Sequence, residues 1–160
     1  MTGGRDREAG QPDYWSKILA EAATAFEPAP VSAPSLETIR QLYVSVLQQN
    51  NHTCCMTGQQ FARSALGDGL VVAPIRPLGL GGALHASNLL CLSLAADQAF
   101  RRGDLTIGPN LQLIADLSRL DSQLLDKLNP NGLLRIAANG PSPDVDAIRF
   151  HRQEVFLSSP

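Results

Sequence analysis

The chain has little net charge. Thirteen Lys and Arg stand against fifteen Asp and Glu, a formal net charge of −2 with a pI near 5.9, so there is no global basic field to hold nucleic acid without sequence preference. Any contact with nucleic acid must be local or assisted by a partner. Cysteine is also scarce: Cys54 and Cys55 are adjacent and Cys91 is alone, which makes neither a disulfide framework nor a pair of CxxC knuckles. A reducing compartment and three small buried apolar side chains are the expectation, and no zinc-ligand spacing is found. No run of about 18 apolar residues occurs, and Met1 to Gly10 carries no apolar segment of the signal-peptide kind. The expected protein is soluble and cytoplasmic, with no membrane contact.

What is present suffices for one core. In 160 residues, 44% are hydrophobic, which fits a single compact domain. Residues 1–13 are polar and glycine-containing and read as a disordered tail. In the next stretch Tyr14, Ile18, Ala22 and Phe26 recur at four-residue spacing behind a capping Asp13, so the pattern predicts a short amphipathic helix over 13–26. Pro28, Pro30 and Pro34 stop it and form a semi-rigid linker, so that 14–34 is helix plus linker and 35–157 the folded domain.

Within that domain Ser35 caps a second helix carrying Leu36, Ile39, Tyr43, Val46 and Leu47 on one side. A turn is expected at 55–58, apolar strands at 70–75 and 89–92, and a glycine-rich loop at 78–82 between them. A helical piece follows over 95–102, then strands at 105–107 and 111–114 joined by Gly108-Pro-Asn110. The remainder predicts a helix near 122–128, a strand at 133–137 and a last helix from Pro143 to Phe156. The class is α+β, with no internal repeat.

Six segments carry chemistry in a fixed order: Cys54-Cys-Met-Thr-Gly58, Ala73-Pro-Ile-Arg-Pro77, Asn88-Leu-Leu-Cys-Leu92, Leu94-Ala-Ala-Asp-Gln-Ala-Phe-Arg-Arg-Gly103, Leu105-Thr-Ile107 and Phe150-His-Arg-Gln-Glu-Val-Phe156. From about Leu36 to Phe156 they resemble the short bacterial HNH endonuclease family, whose members read Cys-x-x-Thr-Gly, Ala-His-Ile-x-Pro, Asn-Gly-Leu-x-Leu, Leu-His-Asp-x-x-Phe-Asp-x-Gly and Leu-Thr-Ile, and often end in Trp-His-Arg-Glu-x-Val-Phe. The resemblance implies a ββα element within a small mixed domain with flanking helices. It also implies roles that this chain does not fill. The position of the general-base His holds Pro74, which has no ionisable group, and that of the metal-binding His holds Ala96, whose methyl ligates nothing.

Asn88 stands where the family's Asn orients the catalytic His; the alternative is that it satisfies backbone groups of the loop between the strands. Asp97 and Phe100 also match, and capping or packing explains them. The expectation is a nuclease-like protein without catalytic residues, metal or cofactor, acting as a binding or regulatory module. Arg76, Arg101 and Arg102 flank the lost site, either to touch phosphates of duplex DNA or as a solvated rim. The apolar 78–84 loop and the 14–26 helix are alternative surfaces for a protein partner or self-association, with docking on its own domain the further option for the helix. The competing expectation is an active metal-dependent endonuclease rebuilt around His85, Asn88 and Asp97. For His52, His85 and His151 alike, plain structural roles are the simpler account.

Overall fold

The computed structural model describes residues 12–25, 34–63 and 69–156. The expected tail, except its last two residues, and the linker over 26–33 lie outside them. Helix α1 spans Pro12–Ala25, with proline at a first-turn position where its missing N–H costs nothing. Helix α2 spans Leu36–Gln49, and the Ser35 hydroxyl accepts the Thr38 N–H at 3.1 Å, a cap contributing about 1 kcal/mol. It ends where Asn51 and His52 take positive φ, turning the chain sharply into the buried Cys54–Met56 segment.

Strands β1 (Leu70–Pro74) and β2 (Leu89–Ser93) pair antiparallel, with Val72 opposite Cys91 and Pro74 opposite Leu89. Both strands are buried on both faces apart from Pro74, which accounts for their continuous apolar sequence in place of alternation. Helix α3 (Leu94–Arg102) follows β2 directly; the Ser93 hydroxyl caps it at the Ala96 N–H, and Gly103 at φ 80° closes it in the left-handed conformation that glycine tolerates. β1, β2 and α3 thus form the expected ββα unit. The core runs through Ile39 and Tyr43 of α2, Leu70 and Val72 of β1, Leu92 of β2 and Phe100 of α3.

Strands β3 (Leu105–Ile107) and β4 (Leu113–Ala115) make a second two-stranded sheet. β4 begins later than expected because Leu111 sits at φ 63°, outside strand geometry. Helix α4 covers Ser122–Lys127. No strand forms at 133–137: Leu133 makes an isolated bridge with Gln112, Leu134 donates to the Leu111 carbonyl, and Arg135 donates to that of Cys55. These bonds diverge to different partners, so no ladder can build.

The last helix, α5, spans Val145–Phe150 and starts two residues after Pro143, because the Asp144 carboxylate accepts the Asp146 and Ala147 N–H groups at 2.8 and 3.1 Å. His151–Phe156 then winds as a π turn. The chain is a small mixed α/β domain, and no helix among the described residues is long and apolar enough to cross a membrane.

Candidate functional site

The ββα unit places Pro74 and Asn88 together at the end of β1 and the entry to β2, whereas Ala96 and Asp97 stand in the first turn of α3, beyond the other end of β2. Asn88, 1% exposed, is entirely spent on backbone. Its Oδ1 accepts the Arg76 N–H at 2.9 Å, and its Nδ2 donates to the carbonyls of Arg76 at 3.0 Å and Ala83 at 2.9 Å. Of the two roles open to it from the sequence, this is the loop-satisfying one. The clamp holds a tight loop: an added Cβ on Gly82 would meet the Arg76 carbonyl oxygen, so only glycine permits that approach.

His85 is bonded within its own turn. It precedes a short 3-10 turn at Ala86–Asn88, its Nδ1 accepts the Ser87 N–H at 3.1 Å and lies 2.8 Å from the Ser87 hydroxyl. Asp97, with its side chain only 7% exposed, pairs with Arg101 at 2.9 Å. Ala96 is fully buried beneath the capping Ser93. Pro74, Asn88, Ala96 and Asp97 do not fit a divalent ion: only Asp97 offers an anionic oxygen, and Arg101 already holds it. Among the described residues no group of three or more His, Cys, Asp or Glu is arranged as a metal site.

The three candidate arginines are likewise engaged. Arg76 lays its guanidinium 4.3 Å from the Phe150 ring centroid and donates through Nε to the Leu80 carbonyl. Arg102 pairs with buried Asp104 at 3.0 Å, which Arg119 also reaches at 3.1 Å. Arg101 bridges Asp97 and, at 3.7 Å, Glu21 of α1. Burial works against its charge, but the two carboxylates more than offset this, and its pKa is raised.

Helix α1 had three docking partners open to it from the sequence: another protein, another copy or its own domain. It docks on its own domain, burying Tyr14 and Ile18; the Tyr14 hydroxyl accepts the Val72 N–H at 3.3 Å, satisfying the open edge of β1. The only sign in the sequence was the amphipathic stripe, which names no target. Between α1 and the ββα unit lies an open cleft of about 410 Å³, walled by Ala20, Pro74, Pro77 and Leu78 with Glu21 and Arg101 at its rim. The 78–84 loop is less exposed than its composition suggests: Leu78 is buried in that wall and Leu84 packs on the core, leaving Leu80 outside.

The remaining candidates are structural. All three cysteines are buried free thiols; burial pushes Cys55 up to about 11 and Cys91 higher still, which keeps those two protonated and unreactive. His151, 2% exposed, stacks on Phe100 with ring centroids 3.6 Å apart and bonds Thr106 and the Phe100 carbonyl. His52 is half-buried, its pKa lowered by desolvation and by Arg63, with no catalytic neighbour described.

No family model matches the chain, and no curated protein matches it in sequence. Among solved structures it is similar to a chain described as a modification dependent TagI restriction endonuclease, at 29% identity and a TM-score of 0.57 over 72% of this chain. The match takes in 37% of that endonuclease's length. The fold is therefore nuclease-like, and it corresponds to little more than a third of its neighbour.

Proposed function

We propose that this chain is a catalytically inactive relative of the HNH endonucleases that binds duplex DNA without cutting it. What supports this reading is that Pro74 and Ala96 stand where the HNH resemblance puts two histidines, within a ββα scaffold held by the Asn88 clamp and the Ser93 cap. A base and a metal ion normally supply much of the barrier reduction in phosphodiester hydrolysis. Pro74 cannot act as that base, and Ala96 cannot hold that metal. Duplex DNA as the target draws support from the endonuclease neighbour and from Arg101 at the rim of the cleft.

The test is incubation of the purified chain with supercoiled plasmid and Mg²⁺, Mn²⁺ or Ni²⁺. No nicking or linearisation above the buffer control is expected. Cleavage that vanishes in His85→Ala would overturn the proposal in favour of a centre rebuilt around His85, Asn88 and Asp97. Binding is read by titrating a labelled duplex at low and moderate salt, where weak affinity that falls steeply with salt is expected, as for a few arginine–phosphate contacts. Absence of any shift at low salt would remove DNA as the target. A protein partner seated on the cleft is the second reading, favoured by the apolar wall that Ala20, Pro74, Pro77 and Leu78 present.

A further inference from the structure

Three features meet at the seam between α1 and the rest of the domain. Glu21 places a carboxylate against Arg101, the one candidate arginine at the cleft rim. Tyr14 caps the edge of β1 at Val72, and Ile18 is buried, so the helix is seated by both polar and apolar contacts. Against these, the Tyr43 hydroxyl is buried with no hydrogen-bond partner. Tyr43 lies at the α1 seam, with its ring 6.4 Å from that of Trp15 and within reach of the charges of Glu21 and Arg101.

A buried hydroxyl without a partner is a penalty that water would relieve, so the docked state of α1 carries a built-in cost that release removes. The half-exposed Glu21–Arg101 pair at 3.7 Å is partly screened by solvent and holds it only modestly. Every other described element follows α1 in the chain, so its departure breaks no strand pairing. It would bare the Nη1 side of the Arg101 guanidinium, whose Nε stays on Asp97, and the N–H of Val72, two donors suited to phosphate oxygens.

From this we infer that α1 is a displaceable cover over the former nuclease face, with Glu21 standing in for the phosphate that Arg101 takes when duplex DNA binds. The inference rests on the DNA-binding reading above and adds its regulation: affinity is set by the fraction of molecules with α1 released, since the apparent dissociation constant scales inversely with that fraction. The ligand chemistry is the phosphodiester backbone of duplex DNA. Docked α1 and bound DNA compete for the same guanidinium.

The full-length chain reports its own state, because Trp15 is its single tryptophan and sits at the seam with Tyr14 at 5.1 Å and the Arg40 guanidinium at 5.7 Å. Two substitutions push in opposite directions. Glu21→Gln loosens the cover and is expected to raise acrylamide quenching of Trp15 and tighten binding of a short labelled duplex at low salt by about three- to ten-fold. Tyr43→Phe removes the orphan hydroxyl and is expected to lower quenching and weaken binding by about three-fold. Glu37→Gln, an equal charge change on exposed α2 surface, is the control and should move neither readout.

If quenching shifts but duplex affinity stays constant across the variants, the masking of Arg101 is overturned while DNA binding stands. If quenching shifts and no variant binds duplex, the DNA reading itself fails and the inference with it. Equal quenching in all variants overturns the cover. A Glu37→Gln effect as large as that of Glu21→Gln would reduce the result to net charge and overturn it as well.

Discussion

Replacing Asn88 with alanine is expected to lower the free energy of unfolding by about 2–4 kcal/mol, since it strands backbone groups whose loss costs about 1–3 kcal/mol each when they stay dry. The Arg76 N–H loses its acceptor and the carbonyls of Arg76 and Ala83 lose their donor. Ala83 is exposed and water can rehydrate its carbonyl, which holds the figure below three full penalties. Asn88→Asp is expected to be no better: it keeps an acceptor for Arg76 but turns an anionic oxygen towards two carbonyls that need a donor. Urea denaturation measures both. A loss under about 0.5 kcal/mol for Asn88→Ala, the scale of an ordinary surface change, would show that the clamp does not hold the loop.

The same side chain shows what a sequence can and cannot say. Asn88 was legible as a special position because it stands at the Asn of the HNH-like motif; one of its two competing roles came from that resemblance and the other from the chemistry of a primary amide. Which role it fills required the loop path, because its partners Arg76 and Ala83 are fixed by Gly81 and Gly82 bending the chain back. The ββα unit was legible for a related reason: two continuous apolar runs, a glycine-rich connection, and a helix with a serine before it and a glycine after it are all local signals.

Long-range polar pairing left no such local trace. Glu21 and Arg101, and Tyr14 and Val72, meet only because α1 folds back on the domain. The segment 133–137 failed in the opposite sense, its apolar residues imitating a strand while each backbone bond goes to a different neighbour. Pro143 was read as a first-turn residue because proline suits that position, but Asp144 offers a carboxylate that satisfies two helix N–H groups and so takes the cap. The π turn at His151–Phe156 begins at a buried imidazole, and no helical periodicity encodes it.

That imidazole is expected to make the fold acid-labile in a defined window. The Phe100 carbonyl can only accept, so Nε2 of His151 carries the proton and donates to it at 2.7 Å, and bare Nδ1 accepts from the Thr106 hydroxyl at 2.7 Å. A second proton has nowhere to go without breaking the Thr106 bond inside the core. Burial, partly opposed by the bond to Phe100, accordingly lowers the pKa from 6.5 to about 4. Above pH 6.5 the ring is neutral in both folded and unfolded chains, and its contribution is fully present. As pH falls from 6.5 towards 4 the unfolded chain takes up the proton and the folded one does not, so stability declines; below about 4 both are protonated and the slope vanishes. Two and a half pH units at about 1.4 kcal/mol each give a loss of about 3 kcal/mol across the window. His151→Gln keeps one donor and one acceptor but cannot titrate. Denaturant titrations at intervals between pH 7.5 and 4 should therefore show a steeper fall for the parent than for His151→Gln, although the variant starts lower, having lost the stack on Phe100. Parallel curves for the two proteins would mean that His151 is not the group that links folding to pH. A parent curve that falls only below about pH 4 would assign the linkage to carboxylates instead.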